Sequence, residues 1–246
     1  MSDLLVLCYH ALSPTWTADL SVTPLAFERQ IKGFQHSGWA FARFTEALRK
    51  PVGKKTVVVT FDDAFLSVKT HALPVLAAVG APATVFVPTE YVSAEAPLAW
   101  AGLDHWQQGP AAPELTAMTW SDLGELAEAG WEIGSHTLRH PHLTSVDDDV
   151  LAEELGRSRE DCARHIGHDV TSIAYPYGDV DERVIDGTRR AGYEAAAALE
   201  WPTPKSGLLR YPRTGIYHGD SWARFRLKIG GWSRSRYGAR LLDRRQ

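Results

Sequence analysis

The sequence predicts an α/β protein built on a parallel sheet, open or closed into a barrel, and three observations lead there. Short apolar and β-branched runs near residues 4–9, 56–60, 82–88, 131–135, 171–175 and 193–199 read as buried strands. Segments with helical spacing and capping signals separate them, and strict strand–helix alternation is the pattern of right-handed crossovers. No Gly/Ser linker or composition break divides the 246 residues. One domain over 1–246 is therefore expected, long enough to bury a large core.

Leu4 to Tyr9 is the first strand, with His10 at its end. Thr23 then caps a helix with Pro24 at its first position, and Leu25, Phe27, Ile31 and Phe34 supply its apolar face, with Gly38 beyond it. Phe41 to Phe44 is expected to be a short strand before a small helix through Leu48. The strand from Thr56 ends in Asp62-Asp63, and a helix over about Ser67–Val79 is closed by Gly80. The apolar run Pro82–Pro88 is the next buried strand. From about Thr89 to Thr116 the rhythm breaks into a long loop holding Trp100 and Trp106; loops of that length in compact domains are usually functional or mobile. A capped helix opens at Thr119 and ends near Gly130, and Trp131–Ser135 is the strand before the histidines. The helix from about Val146 to Ile166 has Asp147–Asp149 at its start, where the dipole favours acids. Thr171–Tyr175 is a strand ending in Pro176-Tyr177-Gly178. Asp181–Ala191 is helical, Tyr193–Leu199 strand-like, and Leu208–Tyr211 leads to Pro212-Arg213.

Composition narrows the function classes. A formal charge of −4 gives no reason to expect nucleic acid as a partner. No apolar run approaches the roughly 18 residues of a transmembrane helix. Met1-Ser2-Asp3 lacks a basic n-region, and Cys8 and Cys162 are too few for a disulfide scaffold, so a cytoplasmic setting is expected. The tail from about 226 to 246 is basic, with Arg226, Lys228, Arg234, Arg236, Arg240, Arg244 and Arg245 against Asp243. It reads as a solvated face, or alternatively as a weak contact for an anionic membrane or a lipid-linked phosphate.

The chemistry-bearing residues fall at strand ends. Two adjacent carboxylates, Asp62 and Asp63, close an apolar strand, where they repel unless a cation or hydrogen bonds hold them. They serve either as a strand end with a helix cap, or as a metal ligand beside a base. His136, His140 and His142 follow a second strand within seven residues, and the i, i+4 pair His136/His140 suits one side of a helical turn facing a metal. Asp plus two His is an accepted hydrolytic set for a divalent metal. His10, Asp62-Asp63, His136-His140, Tyr175-Pro176-Tyr177 and Arg213 each follow a predicted strand. In a barrel all of these open onto the C-terminal rim, where active sites sit.

The stretches TFDDA at 60–64, SHTLRHPHL at 135–143 and AYPYG at 174–178 resemble the first three motifs of the polysaccharide deacetylases, the NodB-homology domains of carbohydrate esterase family 4. The resemblance runs from Tyr9-His10 to about Arg213 and is nearest to the bacterial exopolysaccharide-type branch, whose first strand ends in Tyr-His. It implies a distorted (β/α) barrel with about seven parallel strands. It also implies N-deacetylation of an acetamido sugar on a glycan, a lipid-linked oligosaccharide or a small glycoside. Mapped by motif, Asp63, His136 and His140 are the ligands of a divalent metal: zinc first, with cobalt, nickel and manganese as alternatives. Asp62 is the general base toward a water that the metal acidifies, and the backbone N–H of Tyr177 helps hold the oxyanion. Tyr175, Pro176 and Tyr177 are expected to contact substrate.

The chain departs from the family's pattern at several positions. Ala64 replaces the usual Gly after the acid pair, and Ala174 stands where an Arg often orients the base. Arg213 is the candidate substitute. The general acid is expected to be His10, with His218 of Ile216-Tyr217-His218 as the rival. Trp100 and Trp106 either stack on sugar rings or plug the long loop onto the barrel; His142 is expected to be exposed. The competing functions are deformylation or another small-amide hydrolysis on this scaffold, and a glycan-binding protein that has lost turnover. Oligomeric state is not legible.

Overall fold

The computed structural model describes residues 3–50, 52–94, 96–199 and 207–230. The chain opens with β1 (Asp3–Tyr9), a small pair β2 (Ala11–Leu12) and β3 (Ser21–Val22), helix α1 (Pro24–His36), β4 (Ala40–Ala42) and α2 (Phe44–Arg49). β5 (Lys55–Phe61) leads to the acid pair and then, through a π-helical turn at Val68–Ala72, into α3 (Leu73–Ala77). The alternation continues with β6 (Thr84–Val87), α4 (Trp120–Glu128), β7 (Glu132–Ser135), α5 (Asp148–Ile166), β8 (Ser172–Ala174), α6 (Glu182–Arg190) and β9 (Ala195–Ala198). β10 (Tyr211–Pro212), β11 (Thr214–Gly215) and α7 (Trp222–Ile229) complete the described chain. The basic residues from Arg234 onward lie outside the described residues.

The main sheet runs β10-β9-β8-β7-β6-β5-β1-β11, with β4 beside β5, and its pairings are parallel. Eight strands lie on that path where about seven were expected. The difference comes from one extended crossing, residues 211–215, that splits at Arg213. Its first half ladders onto β9, where Arg213 N–H donates to Ala198 O at 3.0 Å. Its second half ladders onto β1, where Ile216 N–H donates to Cys8 O at 2.9 Å. One short segment thus joins both edges of the sheet and leaves a nearly closed, distorted (β/α) barrel.

Local sequence explains the helices. Thr23 Oγ1 accepts from Ala26 N–H with Pro24 at the first turn of α1, and Thr119 and Asp122 form a reciprocal capping box on α4. Asp147 caps α5 and Asp181 caps α6. The apolar face of α1 is Phe27, Ile31 and Phe34 with Gln30, whereas Leu25 is 77% exposed. At the first turn Leu25 points away from the sheet, so it does not belong to that face. The expected strand at Phe41–Phe44 is Ala40–Ala42, because Phe44 already begins α2.

Strand alternation sorts β1 between two environments. Leu5, Leu7 and Tyr9 pack outward in the layer between sheet and helices, whereas Val6 joins Val58, Phe86, Phe44, Ala174 and Ala197 in a second cluster. That cluster is the barrel filling, and it is thin. Phe44 meets Phe86 edge-on at 5.6 Å, and Gly134 on β7 is needed because a Cβ there would sit 2.6 Å from the Phe86 ring and Ser172 Oγ. Above this apolar plug, toward the C-terminal ends of the strands, the interior turns polar.

Candidate active site

The polar layer begins where β5 ends. Asp62 and Asp63 are each 2% exposed. Asp63 (φ 69°) and Ala64 (φ 53°) are both left-handed, which turns the two carboxylates in different directions. Ala64 O accepts from Met118 N–H, and Phe65 bridges Ala117, so the end of the long loop pins this turn. Asp63 faces the histidines: its Oδ1 lies 3.4 Å from both His136 Nε2 and His140 Nε2. Asp62 faces Arg213, which grips it with two parallel bonds of 2.7 Å, Nη1 to Oδ1 and Nη2 to Oδ2, while Nη1 also donates to Thr60 Oγ1.

The histidines reach this point from a loop, not from the helical turn that their spacing suggested. Thr137 (φ 67°) and His140 (φ 61°) are left-handed, so 136–140 folds back on itself after β7. His136 Nδ1–H donates to Ala174 O at 2.8 Å, which fixes the tautomer and leaves Nε2 as a lone-pair donor toward Asp63. The His140 ring lies between Trp100, stacked at 4.2 Å, and Tyr177, edge-on at 4.6 Å.

These three donors fit a metal. A tetrahedral ion with ligand bonds of about 2.0–2.2 Å holds its ligand atoms roughly 3.3–3.6 Å apart, and both Asp63–His separations are 3.4 Å. Asp63 Oδ1 is buried without a hydrogen-bond donor aimed at it, as expected of an atom reserved for a cation. Burial pushes the Asp63 carboxyl up, but the two imidazoles outweigh it and hold it well below the usual carboxylate range. His140 is pushed down by burial, whereas at His136 the charges of Asp62 and Asp63 overcome burial and raise it. Burial also opposes ionisation of Asp62, yet Arg213 lowers it to about 2, so the carboxylate is charged and oriented. The Cys8 thiol, kept protonated mainly by burial, lies 3.4 Å from Asp62 Oδ2 and donates to it.

A cavity of about 270 Å³ opens over this layer. His10, Asp62, Asp63, His136 and His140 form its polar side, and Leu20, Trp100, Leu103 and Leu199 its apolar side. A larger cleft of about 790 Å³ lies at the opposite ends of the strands, beside Glu132 and Ser172. There Arg43 pairs with Glu46 and Arg49 with Glu194, and Glu132 is satisfied by Thr45 N–H and Ser172 Oγ. Both arginines of that cleft are held in ion pairs and it holds none of the strand-end acids and histidines, so the smaller cavity is the candidate site.

Some expected residues sit elsewhere. His218 is exposed on a turn after β11, its N–H donating to Asp19 O, and Tyr217 takes the place on the cavity wall. Ile216 enters the core and Tyr217, on the other side of the extended chain, reaches the cavity, whereas His218 already belongs to the turn and faces solvent. Tyr175 is fully buried in the outer layer, its hydroxyl donating to Leu209 O at 2.8 Å; it holds the 208–210 turn and does not reach the cavity. Pro176 is likewise buried beside it, off the cavity wall. Trp106 packs edge-on against Trp16 at 5.8 Å and plugs the loop, while Trp100 lines the site. His142 is exposed as expected and stacks at 3.9 Å on Tyr177, itself left-handed at φ 59°. Sequence reasoning missed Cys8, Leu20, Leu103, Leu199 and Tyr217; for Cys8 the period-2 face Val6-Cys8-His10 carried the signal.

Known proteins resemble this chain over most of its length. The polysaccharide deacetylase family model matches residues 49–196. A Staphylococcus aureus poly-β-1,6-N-acetyl-D-glucosamine N-deacetylase is 24% identical over 208 residues, 78% of this chain and 67% of that protein. Among solved structures, a Bacillus cereus polysaccharide deacetylase superposes with a TM-score of 0.75 at 26% identity, covering 92% of this chain and 69% of the other. The Streptococcus pyogenes deacetylase PplD shares the fold with a TM-score of 0.76 at 24% identity, covering 92% and 98%. The chain spans 65–67% of the length of the curated relatives it matches.

Proposed function

The chain belongs to the polysaccharide deacetylase family, and from that premise we propose that it is a metal-dependent hydrolase removing the acetyl group from an N-acetylated sugar. The observation that carries this is the convergence of Asp63 Oδ1 with His136 and His140 Nε2, each 3.4 Å from it, beside a second carboxylate held separately by Arg213. A divalent ion on those three atoms, zinc before cobalt, nickel or manganese, would supply Lewis-acid polarisation of the acyl carbonyl and an acidified water.

The protein's own groups divide the remaining work. Asp62, charged and fixed by Arg213, takes the proton from the attacking water. Arg213 keeps that carboxylate from turning toward the metal side, so the two acids do different jobs. The leaving amine needs a proton, and His10, on the cavity wall, is placed to give it. Burial lowers the His10 pKa, which makes its imidazolium the stronger acid. The Tyr177 N–H, presented by a left-handed residue beside His140, supports the oxyanion. Leu20, Leu103 and Leu199 offer an apolar surface to an acyl methyl, and Trp100 bounds the pocket.

The test measures metal content by mass spectrometry on wild type and His136→Ala, with acetate release from N-acetylglucosamine oligomers followed alongside. About one metal per chain, lost in the variant, with acetate from wild type alone, supports the reading. Metal without acetate moves the assignment to lipid-linked or formylated substrates. No metal in either protein after reloading overturns it and leaves a glycan-binding role.

A further inference from the structure

A buried acid outside the site described above reaches the histidine loop from behind. Glu154, in the middle of α5, is 1% exposed. Its Oε2 accepts from two consecutive backbone amides, Leu138 N–H at 2.9 Å and Arg139 N–H at 3.0 Å. Its Oε1 accepts from Arg139 Nη1 at 3.0 Å. Those amides belong to the two residues between left-handed Thr137 and left-handed His140. We infer that Glu154 is a positioning residue for the metal centre, holding the 136–140 loop in the fold-back that brings the His136 and His140 rings to Asp63. This inference rests on reading Asp63, His136 and His140 as a metal centre.

The physical argument is one of satisfaction and strain. Left-handed backbone at Thr and His is disfavoured by the approach of Cβ to the carbonyl oxygen and persists only where its surroundings over-determine it. The loop is fixed on one side by the segment after β6, where Thr89 N–H donates to Thr137 O and Glu90 N–H to Leu138 O. Thr137 Oγ1 accepts from His140 N–H, and Ser135 Oγ accepts from Thr137 N–H. The Leu138 and Arg139 amides point the other way, into the packed layer under α5. Buried donors must find an acceptor, and Glu154 is the one provided. A carboxylate is suited because one oxygen can take both amides while the other meets Arg139. Arg139 also reaches Glu90 and Glu153 and so balances the buried charge. Helix α5 thereby sets the separation of two ligands that lie outside it.

The test is cobalt(II) binding followed by visible absorption, with thermal melting of the metal-free proteins alongside, on wild type and three variants. Glu154→Ala is expected to weaken cobalt binding roughly 10- to 100-fold, the range for groups that orient ligands without being ligands. Glu154→Gln keeps an acceptor at the same reach and is expected to stay within about fivefold of wild type. Leu155→Ala, the neighbour on α5 that is buried in another cluster and packs toward Gly187 of α6, is expected to lower the melting temperature without weakening cobalt binding. Equal affinity in Glu154→Ala and wild type overturns the inference, as does an equal loss in Leu155→Ala. If Glu154→Ala does not fold, Glu154→Asp replaces it: its charge is kept but its reach is one methylene shorter. Cobalt bound more weakly by Asp than by Gln supports the inference, and the reverse order overturns it. A wild type that binds no cobalt refutes the metal centre itself, an outcome distinct from all of these.

Discussion

Replacing Arg213 by methionine isolates the contact on which the proposed base depends. Arg213 and Asp62 are 5% and 2% exposed, joined by two bonds of 2.7 Å, and Arg213 also sits 5.5 Å over the Phe86 ring. Methionine fills most of the aliphatic volume but, among the described residues, leaves the buried Asp62 carboxylate with only the Cys8 thiol donating to it from a side chain. Removing one partner of a buried pair typically costs about 3–5 kcal/mol, most of it the stranded charge. At about 2–4 °C per kcal/mol for a chain of this size, the melting temperature should fall by roughly 6–20 °C. The assay is thermal melting of metal-free protein by circular dichroism, closed into a cycle with Asp62→Asn. The double variant has no stranded charge and should recover a large part of the lost stability, while acetate release stays depressed in both. A loss near 1 kcal/mol or less would place the pair with ordinary surface ion pairs and refute the claim that Arg213 holds the base.

Four further outcomes can be checked on the same protein. His10→Ala should lower kcat by roughly 10²- to 10⁴-fold, the usual contribution of a general acid, with metal content unchanged, whereas His218→Ala should leave kcat as it was. Trp100→Ala removes the ring stacked on His140 and opens the cavity wall; KM should rise and cobalt bind more weakly, and an unchanged KM would remove Trp100 from the site. Tyr175→Phe deletes a buried hydroxyl bonded to Leu209 O and Thr188 Oγ1 and should cost about 1 kcal/mol in denaturant unfolding with no change in KM. Ala64→Gly relieves a left-handed alanine at φ 53° and should stabilise by about 1 kcal/mol, seen as a higher melting temperature at unaltered activity.

The fold class was legible because its signals are local. Val57-Val58-Val59 cannot be other than a buried run, Thr23-Pro24 and Thr119-x-x-Asp122 announce helix starts, and alternation imposes parallel crossovers. The acid pair and the histidines were also legible as chemistry, since each follows a strand and strands of a parallel barrel all point their ends one way. The i, i+4 spacing of His136 and His140, by contrast, suggested a helical turn that the chain does not make. That spacing is compatible with a loop whenever left-handed residues fold it back, and nothing in Thr137 or His140 announces φ > 0. Tyr175 and His218 were misplaced for a related reason: which side of an extended segment faces the cavity depends on register, and a one-residue shift exchanges Tyr217 for His218.

By itself, then, the sequence determined the order of elements, the level of the barrel at which the polar residues collect, and the placing of Asp62, Asp63, His136 and His140 just beyond strand ends. Periodicity, capping and strand ends are properties of neighbouring residues, and neighbours are what a sequence records. Only the tertiary structure decided which acid meets which partner. Asp62 turns to Arg213 across 151 positions of chain, Asp63 turns to the histidines, and Glu154 on α5 steadies their loop from beneath. Two adjacent carboxylates are chemically identical until the left-handed turn at Asp63 points them into different surroundings, one beside a guanidinium and one between imidazoles.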